Sequence, residues 1–282
     1  MKLIALLLFL HSLLFSMPAF ITPQELREAM TKEKIILLDT TDAQTFAQGH
    51  IPTAQRVSIK DFRHQEGAYQ LMNSPQKIEK IAQSLGINNN SRVVLYGHNK
   101  PKELLKASYI AMALITNGLK EVSILDGGYP EWLFHYDGFI SKESRKPKAG
   151  HFNAKYNPNT LVDLEYVKKH IGKVPMIEAR PLRFYNAEAQ SKGVRRLGHI
   201  KGATSSAWAD KLDNDYCIKP KEELQSIYKL DPKKEVITYC TGGLEASMNW
   251  YILSQHLHFK DVKLYDASMR EWGNRDDTPM EK

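Results

Sequence analysis

The 282-residue chain has only two cysteines, Cys217 and Cys240, and their surroundings differ. Glu235-Val236-Ile237-Thr238-Tyr239 is a short apolar run of strand character that ends at Cys240. Thr241-Gly242-Gly243-Leu244-Glu245 follows, and residues 246–257 have helical character. A strand ending in a thiol, a glycine-containing turn and a helix start together form a backbone cradle. Its successive N–H groups, Thr241 through Glu245, can point inward, and the helix dipole adds partial positive charge. Gly242 and Gly243 allow the backbone angles that such a turn requires. The cradle is expected to lower the Cys240 pKa and supply a thiolate, the nucleophilic form of the side chain. A second reading stays open, because a single cysteine pair in an exported protein invites a Cys217–Cys240 disulfide. With no CxxC spacing and no clustered histidines, a zinc site is not indicated. The expectation is a site without metal or organic cofactor.

The elements that must position Cys240 are written twice. Ile35-Ile36-Leu37-Leu38-Asp39 is a buried strand, followed by Phe46-Ala47-Gln48-Gly49-His50-Ile51-Pro52-Thr53-Ala54. Val174-Pro175-Met176-Ile177-Glu178-Ala179-Arg180 is the matching strand, followed by Gly198-His199-Ile200-Lys201-Gly202-Ala203. Arg92-Val93-Val94-Leu95-Tyr96 repeats the Cys240 strand but ends at Gly97. Helical stretches over 104–116 and 246–257 come next, and then two segments that reach Glu-Trp at equal distance from Asp126 and Asp266, closing at Trp132 and Trp272. Short continuous apolar runs alternating with amphipathic windows argue for an α/β architecture around mainly parallel sheets covered on both faces. Residues 141–160, rich in Lys, Pro, Gly and Asn, read as a linker between the halves.

On these residues the chain resembles the rhodanese sulfurtransferases in their two-domain form. Phe46, His50, Ile51, Pro52 and Ala54 match that family's first signature, with Thr53 where glycine is usual, and the segments ending in Trp132 and Trp272 match its closing signature. The resemblance implies an α/β fold built as a tandem duplication of a rhodanese-like domain, each with a mainly parallel central sheet flanked by helices. It implies a non-catalytic domain over 20–140, whose Gly97 cannot act as a nucleophile, and a catalytic one over 161–282. The implied chemistry is double displacement. Cys240 takes a sulfane sulfur from a small anionic donor, thiosulfate or 3-mercaptopyruvate, and a thiophilic acceptor such as cyanide or a thiol removes it. Thr241, Gly242, Gly243, Leu244 and Glu245 are the implied substrate-binding loop.

A donor anion calls for cations, and arginine suits a carboxylate or sulfonate because it can bind bidentately. Arg180 stands where the family usually has the arginine of Asp-x-Arg facing the site, with Glu178 in place of the aspartate, and Arg183 belongs to an Arg-Phe pair also resembling the family. Arg195 and Arg196, on the loop before His199, are also candidates to hold the anion, and for them and Arg183 a solvated surface role is an equal reading. Thr241-Gly242 looks more like the loop of mercaptopyruvate-specific members. Glu245 sits where threonine is common: beside the sulfur its charge opposes an anionic persulfide, whereas pointing outward it suits the helix dipole. Repetition of His50 and His199, and of Trp132 and Trp272, in a half without a nucleophile argues that these four are structural. Phosphatases of this fold carry an arginine near the end of a longer loop, and here Ala246 follows Glu245, so phosphatase activity is not expected. The competing reading is a persulfide carrier or partner-binding module without turnover.

Met1-Lys2, an almost wholly apolar stretch over 3–15, and then Ser16, Pro18 and Ala19 have the layout of a secretory signal peptide cleaved after Ala19. The alternative is an uncleaved anchor, although the stretch is short of the roughly 20 residues a span needs. The expectation is an exported, periplasmic protein whose mature form, 20–282, is not embedded in the membrane. A net charge of +7 from scattered basic residues carries no aromatic-interleaved basic stripe, so no nucleic-acid partner is expected. Such a surface instead suits small anions.

Overall fold

The structure, a computed structural model, describes residues 16–98, 101–144 and 146–282. The apolar part of the signal segment therefore lies outside the described residues. In the first half the strands are β1 (Phe20–Ile21), β2 (Ile35–Asp39), β3 (Gln55–Arg56), β4 (Arg63–Glu66), β5 (Tyr69–Met72), β6 (Arg92–Tyr96) and β7 (Glu121–Leu125). In the second they are β8 (Leu161–Val162), β9 (Met176–Glu178), β10 (His199–Ile200), β11 (Thr204–Ser205), β12 (Glu235–Tyr239), β13 (Asp261–Tyr265) and β14 (Met280–Glu281). Two five-stranded sheets result, ordered β1-β7-β6-β2-β3 and β8-β13-β12-β9-β11, and every pairing within them is parallel. The two orders are the same topology, so the internal repeat in the sequence is a repeat of the fold.

Parallel strands need crossover connections that cover both sheet faces, which is why β2 is buried along its whole length and β6 and β12 beyond their first residues. One face of each sheet packs on a core built from buried residues of its own half, around Trp132 and Trp272, the second joined at its edge by Tyr69 and Leu71 of the β4–β5 hairpin. The opposite faces share a single core that runs through both halves and takes in Ile110, Leu114, Met248, Tyr251 and Cys240 itself. Helices Pro101–Thr116 and Leu244–Tyr251 meet inside it, with the Ser108 and Ser247 hydroxyls 2.8 Å apart.

The repeated residues do the same work twice. Ile51 N–H donates to Tyr96 Oη (3.1 Å) and Ile200 N–H to Tyr239 Oη (3.0 Å). Trp132 and Trp272, both fully buried, donate their indole N–H to the carbonyls of Phe139 and Pro279. His50 stacks on Phe46 and bonds the carbonyls of Phe46 and Glu143, while His199 stacks on Tyr185 and bonds its carbonyl. The clasp between the halves is also reciprocal. Met72, at the end of the β4–β5 hairpin, donates its N–H to Asp266 (2.8 Å), and Ile218 donates its N–H to Asp126 (2.7 Å).

Residues 141–160 are more than a tether. Gly150 N–H donates to Gln83 O, Lys155 N–H to Asn117 O, and Phe152 is fully buried, so the stretch is strapped along the first half. Proline and glycine spacing hides this, because its hydrogen bonds go to another segment rather than to a local helix or strand. The chain is likewise tied down ahead of β1. Met17 N–H donates to Glu121, the Pro18 carbonyl accepts from Ser123, and the Ala19 carbonyl accepts from Ile124 N–H and Tyr251 Oη. The Ala19–Phe20 bond expected to be cut thus lies inside the fold. Among the described residues no helix is long and apolar enough to cross a membrane.

Candidate active site

Cys240 directly follows β12 and is 1% exposed. Its backbone is fixed from the segment after β13. Cys240 N–H donates to Ser268 Oγ (3.1 Å), and Ser268 Oγ–H donates to Tyr265 O (2.6 Å). Met269 N–H donates to Cys240 O (3.1 Å) and Arg270 N–H to Thr241 O (3.0 Å). Ser268 pays for this with a left-handed φ of 53°, a conformation uncommon for a residue with a side chain.

The loop turns at Gly243, whose φ is 87°. A Cβ there would lie 2.0 Å from Asp266 Oδ1, so glycine is required on two counts. The helix that follows begins at Leu244, slightly earlier than its apolar pattern suggests. The N–H groups of Gly242, Glu245 and Ala246 are directed at the Cys240 sulfur and favour its thiolate.

They do not prevail. Burial, followed by the nearby Glu245 carboxyl, pushes the Cys240 thiol up to about 12. This corrects the expectation of a lowered pKa: the cradle exists, but the site is desolvated and holds a carboxyl of its own. Glu245 faces inward, near the Cys240 thiol and the Thr241 N–H, which both favour its charged form, rather than outward along the helix dipole. Its own pKa is raised by burial, against the pull of those two donors and of Arg180.

Arg180 comes close to the site but is already engaged. Its Nε donates to Glu178, Nη1 to Ser191 Oγ (3.1 Å) and Nη2 to the Gly198 carbonyl (2.8 Å), and it is 2% exposed. Glu178 also accepts from Tyr239 Oη (3.1 Å), and burial raises its pKa. This pair braces the walls of the loop, since Ser191 also accepts from Thr241 Oγ1 (3.4 Å). Arg183 is exposed, with its guanidinium over the Phe184 ring. Arg195 pairs with Asp276, and Arg196 is held by the carbonyls of Trp272 and Thr278.

Sequence reasoning missed the contribution of the first half. Arg63 reaches across the interface and donates through Nη2 to Gly242 O (2.7 Å) and Gln70 O (2.7 Å), with Asp266 Oδ1 at 3.5 Å. Asp266 also accepts from Tyr109 Oη (2.6 Å). The repeat of Asp126 as Asp266 was a legible signal for one end of this clasp, but nothing in the sequence pairs Arg63 with a loop 179 residues away. Both cysteines are free, and Cys217 packs against Gly127 in the first half, so the disulfide reading is set aside.

A family model described as the rhodanese-like domain matches the chain twice, over residues 22–135 and 163–275. A 3-mercaptopyruvate sulfurtransferase of Escherichia coli (strain K12) is 31% identical over 251 residues, covering 86% of this chain and 87% of the relative. A thiosulfate sulfurtransferase of Azotobacter vinelandii is 27% identical, with 94% and 98% covered. The sulfur carrier protein TtuD of Thermus thermophilus is 29% identical, with 89% and 88% covered. Among solved structures, the anaerobic ergothioneine biosynthesis enzyme from Chlorobium limicola superposes with a TM-score of 0.82 at 21% identity, covering 94% of this chain and 70% of that one. At that identity the likeness speaks for the fold alone. The twofold match, laid over two sheets of identical strand order, makes the chain a member of the rhodanese family with two tandem rhodanese-like domains.

Proposed function

We propose that the protein is a sulfurtransferase in which Cys240 carries sulfane sulfur as a persulfide from a small anionic donor to a thiophilic acceptor. The observation that supports this most is the single thiol set at the head of an inward-directed amide loop, where the other copy of the domain has Gly97. The relatives named as sulfurtransferases support it as well.

In the first step the Cys240 thiol gives up its proton to solvent, and its sulfur attacks the outer sulfur of the donor. With thiosulfate, a new S–S bond forms to Cys240, the donor's S–S bond breaks, and its electron pair leaves on sulfite. With 3-mercaptopyruvate, the C–S bond breaks, and the electron pair and a proton go to carbon to give pyruvate. The terminal sulfur of the persulfide then sits before the N–H groups of Gly242, Glu245 and Ala246, which stabilise its charge. Attack by cyanide or a thiolate on that outer sulfur returns the Cys240 thiolate.

Purified protein incubated with either donor should gain the mass of one sulfur on the Cys240 peptide, and Cys240→Ser should abolish both this gain and steady-state transfer. Absence of transfer from both donors would sink the reading. Mass gain without turnover would instead favour a carrier role, for which the likeness to TtuD speaks.

Export to the periplasm belongs to the same proposal and rests on the signal-like composition of residues 1–19. Because the carbonyls of Pro18 and Ala19 are bonded into the first sheet, processing is expected upstream of Met17. N-terminal sequencing of the fractionated protein checks this, and a mature chain beginning at Phe20 would contradict it.

A further inference from the structure

The Cys240 loop has no Arg or Lys of its own, and Arg180 is spent on Glu178, Ser191 and Gly198. Arg63 is likewise spent on Gly242 O, Gln70 O and Asp266, but a second guanidinium lies against the loop. A Cβ placed on Gly242 would be 3.4 Å from Arg270 Cδ, 3.7 Å from Nε and 3.9 Å from Cζ, and one on Gly193 would be 3.9 Å from Nε. The Arg270 side chain therefore spans from Gly242 to Gly193, close enough that a Cβ at either position would meet it in ordinary van der Waals contact.

Three further observations bear on its role. Arg270 is only half-buried, and among the described residues its guanidinium has no hydrogen-bond or ion-pair partner. Its backbone N–H donates to Thr241 O (3.0 Å), so the loop that carries the nucleophile also fixes where the cation starts. In the repeat, moreover, Arg270 stands where the first half has Pro130, four residues after the equivalent aspartates Asp266 and Asp126. The domain with a cysteine has an arginine at this point, and the domain with a glycine in its place does not.

We infer that Arg270 is the residue that binds the anionic head, carboxylate or sulfonate, of the sulfur donor. This rests on the sulfurtransferase reading above. Gly242 is two positions from Cys240 in the chain, with only Thr241 between them, a span of at most about 7 Å. A donor whose oxyanion lies a few bonds from its sulfur can therefore sit on the guanidinium and present the sulfur to Cys240. An unpaired guanidinium is the group for this, because its planar donors match an oxyanion bidentately. It would supply from the next element the cation that the loop itself lacks.

Two measurements on Arg270→Gln and Arg270→Lys test the inference. In steady state, Arg270→Gln should raise KM for an anionic donor at least about tenfold with a smaller change in kcat, and Arg270→Lys should recover part of the loss. Whether thiosulfate or 3-mercaptopyruvate is affected more tells sulfonate from carboxylate. Independently of turnover, the rate of Cys240 alkylation by iodoacetate relative to neutral iodoacetamide should drop several-fold in Arg270→Gln. A merely structural arginine would not move that ratio. If KM for both donors and the alkylation ratio stay within twofold of wild type, Arg270 does not bind the donor, whatever the fate of the sulfurtransferase reading. If wild type transfers no sulfur but its alkylation ratio falls in Arg270→Gln, the anion site stands and the assigned reaction does not.

Discussion

Glu245→Gln is expected to speed alkylation of Cys240 by iodoacetamide about tenfold or more at pH 8. The Cys240 thiol is held at about 12 by burial and then by the Glu245 carboxyl, against three loop N–H groups. Glutamine leaves the burial and the amides in place and removes the like charge. Two unit charges near contact interact by a few kcal/mol at the effective dielectric of a protein, on the order of 1–2 pH units for a partly screened pair. The pH at which alkylation reaches half its maximum should fall by that amount. Slower alkylation in the variant would mean that Glu245 acts chiefly as the base that takes the thiol proton, and the like-charge account would fail.

The same substitution should not cost stability at neutral pH. Glu245 has a raised pKa in the folded protein, so its favourable contribution is complete below the unfolded pKa and is lost as pH rises through the folded value. Above that range the ionised carboxyl opposes folding, and glutamine relieves the opposition while keeping an acceptor for the Thr241 N–H.

Arg63→Ala carries the largest expected loss of stability, about 3–5 kcal/mol, the usual cost of removing one partner from a buried charge pair. Arg63 and Asp266 side chains are 5% and 4% exposed, and the substitution also strips the carbonyls of Gly242 and Gln70 of a donor. The urea midpoint should fall accordingly, and adding Asp266→Asn should restore part of it by removing the stranded charge. Loss confined to activity, with an unchanged midpoint, would show that Arg63 tunes the loop without holding the two halves together. Because Arg63 belongs to the domain without a cysteine, the experiment also measures how far the active loop depends on its partner domain.

Much of this architecture is legible in the sequence. The duplication showed in strand-forming runs such as Ile35–Asp39 and Arg92–Tyr96 that recur in order, because parallel buried strands impose continuous apolar segments wherever they occur. Cys240 and its glycines were legible for a related reason: a sharp turn between a strand and a helix restricts residue type locally. What the linear pattern could not carry was the environment around those residues. It pointed to a lowered thiol pKa, since amides and dipole are local features, whereas desolvation and the inward rotamer of Glu245 arise only when the shared core closes over the site.

The arginines separate the two kinds of information most clearly. Arg180 stood at the expected place in the sequence, yet in the fold its hydrogen bonds go to Glu178, Ser191 and Gly198. Arg63 and Arg270, unremarkable in sequence, were brought to the Gly242 peptide, one from the first domain and one from the turn after β13. Neighbouring residues alone specify a doubled α/β fold and a strand-ending thiol in one copy, because apolar period and turn chemistry are local properties. Only the tertiary structure decided which charges face that nucleophile, because a charge's partners are set by contacts between segments far apart in the chain.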